Sequence, residues 1–201
     1  GGSMEGKRCL VSGSGNVATH AAEKCLQLGG TPLTLSDSGG FIHAANGLSQ
    51  EQIDWVKDLK GVRRGRISEA ADEFNDITFH EGQRPWGVEA DCAMPSATQN
   101  EVNADDAAAM VAGGVRVVSE GANMPTTPEA QQVLVDGGVL LGPAKAANAG
   151  GVAVSAFEMS QAGQRLHWPR EEVDQRLKQV MGGIHADCVR AASEYGHEGN
   201  Y

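Results

Sequence analysis

The sequence predicts an α/β fold, a doubly wound, mostly parallel sheet with helices on both faces. Three observations predict it. Short, continuous apolar runs alternate with longer stretches of helical periodicity through most of the 201 residues, the pattern of strands buried on both faces and joined by helical crossovers. Glycine, 27 residues in all, falls at the ends of those runs rather than in repeats, where strands hand over to helices. The first run also feeds a Gly-x-Gly-x-x-Ala turn. An apolar share of 40% fits a folded chain, and the length fits one generous domain.

The elements follow in order. Arg8–Ser12 reads as a strand, and Val17–Leu28 as a helix with Val17, Ala21, Ala22, Cys25 and Leu28 on one face. Gly29-Gly30 stops that helix. Pro32–Ser36 reads as a second strand ending at Asp37-Ser38-Gly39-Gly40, and Ser49–Lys60 as a helix with Ser49 as its N-cap. Ile77–Phe79 is a short strand. Ala90–Met94, Val115–Ser119 and Val139–Leu141 are further strands. Between them lie helices over Ala104–Ala112 and Thr127–Val135, the latter opened by Pro128. Two helical stretches close the chain, Gly151–Gln164 and Arg170–Tyr195.

Composition excludes several functions. A formal charge of −10 with only 4% aromatics argues against a nucleic-acid partner, which wants a basic face and stacking platforms. No run nears the roughly 18 apolar residues of a membrane helix, and the start, Gly1–Glu5, has no basic segment followed by an apolar one, so no secretory signal is visible. Cys9, Cys25, Cys92 and Cys188 are scattered without a Cys-x-x-Cys pair, so they read as reduced, buried thiols of a cytoplasmic protein. The six histidines lack ligand spacing, and no metal is expected. Residues 1–3 read as a cloning remnant and 4–201 as one dinucleotide-binding domain with C-terminal helices.

Gly13-x-Gly15-x-x-Ala18 lies directly after a strand and opens a helix. Gly13 makes the tight turn, Gly15 lets backbone approach a pyrophosphate, and Ala18 lets helix and strand pack closely. Ser14, Asn16 and Val17 complete the turn, whose helix N-terminus offers free N–H groups to phosphate. Asp37 ends the second strand 19 residues after Ala18, where a ribose-binding acid is expected. Together these define a Rossmann-like fold. Lys57, Lys60, Arg63, Arg64 and Arg66 then crowd into ten residues of an acidic chain. This island reads either as a solvated helix end or as a seat for the extra 2′-phosphate of NADP.

Five stretches, in this order, resemble the hexameric glutamate dehydrogenases: Lys7–Ala18, Ser36–Gly40, Pro95–Glu101, Glu120–Thr127 and Lys145–Val152. The second resembles the NADP-dependent branch. The resemblance implies reversible oxidative deamination of glutamate in an intact homohexamer. It implies that the catalytic lysine, the catalytic aspartate and most glutamate contacts belong to an N-terminal domain, so that this chain is an isolated cofactor domain with no catalytic residue of its own. It also implies roles. Asn16 and the turn glycines contact pyrophosphate; Ala97, Thr98 and Gln99 line the path to the nicotinamide ribose. Asn123 binds that ribose, Asn148 contacts the nicotinamide, and Ser155 holds the distal carboxylate of glutamate. Ser38, Lys60 and Arg66 receive the 2′-phosphate.

The residues agree in part. Ala97–Asn100, Asn123 and Asn148 all follow expected strands, and ligands of open α/β sheets bind beyond the strands' carboxyl ends. Asn and Gln amides both donate and accept, which suits a carboxamide and ribose hydroxyls; each alone also suits a turn or cap. Lys145 reads as structural or phosphate-side. Asp37 by itself favours NAD; Ser38 and the cations favour NADP, which is the expected cofactor. The rival reading is a non-catalytic NAD(P)-sensing module. A short-chain reductase would need Tyr-x-x-x-Lys, which neither Tyr195 nor Tyr201 provides. Alone, the chain is expected to be a monomer or weak dimer.

Overall fold

The computed structural model describes residues 2–198. Gly1 of the expected remnant and Gly199–Tyr201, with Tyr201, lie outside the described residues. In chain order the elements are β1 (Arg8–Val11), α1 (Asn16–Gln27), β2 (Thr31–Pro32), β3 (Thr34–Asp37), β4 (Gly40–Ala44), α2 (Gln50–Asp58), α3 (Ala70–Glu73), β5 (Ile77–Glu81), β6 (Cys92–Met94), α4 (Ala104–Ala112), β7 (Val117–Ser119), α5 (Pro128–Asp136), β8 (Leu140–Gly142), α6 (Ala144–Ala147), α7 (Gly150–Gln164) and α8 (Arg170–Glu194). A π-helical turn, Leu59–Arg63, prolongs α2, and short 3₁₀ turns span Ile67–Glu69 and Pro85–Gly87.

Five strands form a parallel sheet in the order β2-β1-β6-β7-β8. The chain moves from β1 outward to β2, then returns to place β6 on β1's other side. That reversal is the switch point at which such sheets open a crevice. Leu10, Ala93, Val118 and Leu141 share one core with Ala107 and Met110 of α4 and Ala130 and Leu134 of α5. On the other side Val11 packs with Ala18 and Ala22 of α1 and Ile53 and Val56 of α2. Helix ends follow local chemistry. Ser49 and Asn103 form reciprocal capping boxes with Gln52 and Asp106, and Thr127 caps α5 ahead of Pro128.

Three expectations are corrected. Pro32–Ser36 is not one strand: β2 pairs with β1, while β3 leaves for a separate antiparallel sheet, β3-β4-β5. Thr34 explains the parting. Its hydroxyl accepts from the Val11 N–H and donates to the Val11 carbonyl, both at 3.0 Å. A side chain thus satisfies β1 there while the backbone peels away. Second, Asp37 ends β3 as expected, but Asp37–Gly40 closes a hairpin into β4, a strand the sequence reading lacks; Gly40 holds φ +146 with His80 backbone where a Cβ would stand. Third, α1 buries Ala18, Thr19, Ala22 and Cys25, whereas Val17 and Leu28 are half exposed.

Of the cysteines, Cys9, Cys25 and Cys92 are buried together beside Met4 and Met94, and Cys188 is only half-buried. The last two helices differ from the rest. No residue of α7 is buried and only Ala192 of α8 is. They pack on each other through Gly150 against Leu177 and Met181, Phe157 against Trp168, and Arg176 over the Trp168 ring.

Candidate functional site

The turn between β1 and α1 is built for close backbone approach. Gly13 has φ +83, and a Cβ there would stand 2.8 Å from the Ser96 carbonyl oxygen; only glycine fits. A Cβ on Gly15 would meet nothing within 4 Å, so the space above it is open to a ligand. Gly15 is the N-cap of α1, with no side-chain cap and no acid in the first turn. The helix therefore presents uncapped N–H groups and its positive dipole end to that space.

The β3–β4 turn forms the groove's rim. Asp37 Oδ1 accepts from the Gly39 N–H at 2.8 Å. Its Oδ2 accepts from the Ile67 N–H at 3.0 Å and from Lys60 Nζ at 3.2 Å. Burial would push this carboxyl up, but those two N–H groups and Lys60 outweigh it and hold it below the usual carboxylate range. Lys60 also donates to the Gly65 carbonyl at 3.0 Å. Arg66 Nη1 donates to Ser38 Oγ at 2.9 Å. The chain reaches this arrangement because the π turn ends at Arg64 in the left-handed region, φ 57, which swings Arg66 back beside Ser38. The cationic island therefore divides. Lys60 and Arg66 face the groove. Lys57 pairs instead with Glu23 and Asp54, and Arg63 with Asp58 and the Trp55 ring.

Two loops complete the groove at the carboxyl ends of β6 and β7. They are joined by backbone: Gly121 and Ala122 N–H donate to the Pro95 carbonyl, Asn100 N–H to Met124, and Val102 N–H to Pro125, all at 2.9 Å. Asn100 (φ 56) and Met124 (φ 49) are both left-handed, a local strain of the kind that clusters at working sites. Asn148 Nδ2 donates to the Ala122 carbonyl at 3.0 Å and to Asn123 Oδ1 at 2.9 Å, tying α6's end to the second loop.

The resulting groove has two continuous parts. One, of about 700 Å³, is lined by Gly13, Ser14, Gly15, Asn16, Val17, Asp37, Ser38, Lys60, Arg66, Ala97 and Thr98. The other, of about 530 Å³, is lined by Gln99, Asn123, Asn148 and Ser155 and shares Val17, Ala97 and Thr98 with the first. Every residue singled out from the sequence as a binding candidate thus lies on one surface. Lys145 does not; it lines a separate hollow against α8, so the phosphate-side role considered for it is not supported by its place. Asp91 accepts from the Arg8 N–H. Glu120 is 1% exposed and accepts from the Ala144 N–H at 2.6 Å.

Several groove residues escaped the sequence reading. Gln83, Arg84, Pro85, Trp86 and Glu101 also line it. The first four carry no motif and arrive through the tertiary fold. Glu101 stood in a quoted stretch but drew no role. Burial pushes its carboxyl above the ordinary range, against hydrogen bonds from Ser12, Ala97 and Thr98 and the Arg84 charge.

Fold and groove define a doubly wound α/β protein with a ligand crevice at the switch point of its sheet. The chain belongs to the glutamate/leucine/phenylalanine/valine dehydrogenase family, whose family model matches residues 1–201. It is 50% identical over 201 residues to a glutamate dehydrogenase of Bacteroides thetaiotaomicron, covering 100% of this chain and 45% of that protein. To an NADP-specific glutamate dehydrogenase of Haemophilus influenzae it is 48% identical, covering 98% and 44%. Plasmodium falciparum glutamate dehydrogenase 2 superposes with a TM-score of 0.94 at 42% identity, over 98% of this chain and 43% of that one. The chain spans less than half the length of the curated relatives it matches.

Proposed function

We propose that this chain is the NADP(H)-binding domain of a cytoplasmic glutamate dehydrogenase. The whole enzyme would interconvert L-glutamate, NADP⁺ and water with 2-oxoglutarate, ammonia and NADPH. The observation that carries the cofactor assignment is the rim of the groove, where Lys60 and Arg66 stand at the end of the ribose-reading strand. The acid that would otherwise accept from a 2′-hydroxyl is already occupied by three donors. A 2′-phosphate there meets Lys60, Arg66 and the Ser38 hydroxyl.

The remaining roles are those the family resemblance implies, supported by the shared lining of the groove. The α1 N-terminus and the Gly13–Gly15 turn seat the pyrophosphate. Ala97, Thr98 and Gln99 line the passage to the nicotinamide ribose; Asn123 and Asn148, whose amides already face each other, orient ribose and carboxamide. Ser155, exposed on α7, lines the second part of the groove and would hold the distal carboxylate of glutamate. When bound, NADP⁺ supplies the hydride acceptor; this chain's task is to hold it in alignment. The acid–base groups and most substrate contacts belong to the part of the relatives that this chain does not span, and the homohexamer to the whole enzyme. By itself the chain is a monomer or weak dimer without turnover. Fluorescence titration with NADPH and NADH tests the assignment. Tighter NADPH binding is expected; tighter NADH binding overturns it.

A further inference from the structure

We propose that Glu101 is a positioning residue that fixes the loop after β6, beside the Ser12–Ser96 link to the phosphate turn, and so places Ala97 and Thr98 where the two parts of the groove meet. This rests on the dinucleotide-binding reading of the groove. A carboxylate is an odd choice for the lining of a site meant for a pyrophosphate, since like charges repel. Its contacts explain the choice. Glu101 Oε1 accepts from the N–H groups of both Ala97 and Thr98, at 2.9 and 3.3 Å. The Ser12 hydroxyl is among the groups that lower this carboxyl against its burial. Ser12 Oγ in turn accepts from the Ser96 N–H at 2.8 Å, and Ser12 immediately precedes Gly13.

One side chain therefore holds two consecutive loop amides, and Ser12, the last residue before the phosphate turn, holds the amide just before them. Without Glu101, its two amides would be left unpaired in the groove lining. Its own backbone is fixed from the other direction. The Glu101 carbonyl accepts from Arg84 Nη1 at 3.2 Å, and neighbouring Asn100, in its left-handed conformation, donates to the loop after β7. The charged groups facing this carboxylate are Arg84, which is itself paired with Asp106, and, across the groove, the Lys60–Asp37–Arg66 cluster. Charge-assisted hydrogen bonds from fixed backbone donors are strong and directional, which suits a device for register rather than for ligand contact.

The test compares the chain with Glu101→Ala and Glu101→Gln variants, titrated with NADPH and with 2′,5′-ADP. The latter carries the 2′-phosphate but lacks the nicotinamide half. Glu101→Ala should weaken NADPH by about tenfold or more, the scale of one or two lost hydrogen bonds, and 2′,5′-ADP by less than about threefold. Glu101→Gln keeps an oxygen for both N–H groups and should recover most of the loss. Amide hydrogen exchange at Ala97 and Thr98 should accelerate in Glu101→Ala alone. Should Glu101→Ala fail to fold, Glu101→Leu, which keeps the bulk and removes the acceptor, takes its place with the same expected ligand pattern. Equal losses for both ligands, no loss, or no rescue by Gln overturns the assignment of Glu101. Failure of the unsubstituted chain to bind either ligand overturns the underlying reading as well, and is distinguishable because it needs no variant.

Discussion

Replacing Lys60 and Arg66 together with Ala puts the cofactor assignment at risk in the most direct way. Lys60 has three donors. Two are engaged, by Asp37 at 3.2 Å and by the Gly65 carbonyl at 3.0 Å, leaving one for a phosphate oxygen. One charge-assisted hydrogen bond contributes about 1.5–3 kcal/mol. Arg66 is 68% exposed at its side chain, so its share is screened to about 0–1 kcal/mol. The pair then accounts for about 1.5–4 kcal/mol, a loss of roughly tenfold to several hundredfold in NADPH affinity. NADH has no 2′-phosphate to lose, and the freed Asp37 becomes able to accept from its ribose hydroxyl. Its affinity should hold or rise slightly. The assay is fluorescence titration of both cofactors, with thermal unfolding recorded to confirm that the double variant is folded. If both cofactors weaken equally, or neither does, the two cations are solvated surface and the NADP reading fails.

Gly13→Ala and Gly15→Ala should separate stability from binding. The first faces both a positive φ and the Ser96 carbonyl and should lower stability by about 1–3 kcal/mol in denaturant unfolding; the second enters open space and should leave stability within about 0.5 kcal/mol while weakening NADPH. Asp37 has a depressed folded-state pKa, so its stabilisation is present above its unfolded value near 3.8 and is lost as pH falls through the folded value. Asp37→Asn should therefore cost stability at pH 7 and flatten the acid limb of the unfolding curve below about pH 4. Hydrogen bonding to Cys25 and Cys92, with burial, pushes the Cys9 thiol up. In the native chain a thiol reagent should modify Cys188 quickly, and Cys9, Cys25 and Cys92 only after denaturation.

What could be read from the sequence was whatever depends on neighbours in the chain. The Gly13–Ala18 turn, the Ser49 cap and the Pro128 helix start are local devices, and the groove assembles where strand ends put it. Asp37 ends a strand as expected, but the hairpin into β4 stayed hidden because a glycine pair after an acid suits a loop as well as a tight turn. The deciding partner of Gly40 is His80, far along the chain. Thr34 looked like one more strand residue; its hydroxyl's hold on Val11 has no sequence signature. The face of α1 was misplaced because Val17 lines the groove instead of the core, and an apolar residue at a ligand site is indistinguishable from a core residue by periodicity. Arg84 and Trp86 were invisible as groove residues for the same reason as Gly40's partner, since their contacts are tertiary; Glu101 bonds locally to Ala97 and Thr98, but an acid three or four residues on carries no distinctive signal.

The pairing of β1 with β6 has a kinetic consequence. Arg8 N–H meets Asp91 across 83 residues, and Ser96 N–H meets Ser12 across 84. Closing a loop of that length is entropically expensive and must precede any reward from the contacts it brings. The phosphate turn and the loop after β6 therefore have no groove between them until the central strands have joined, which places cofactor binding late in folding. A ligand that engages only after the transition state stabilises the native side alone. NADPH should slow unfolding of this chain markedly while leaving its refolding rate almost unchanged, so the cofactor acts as a lock on the finished sheet and not as a template for building it.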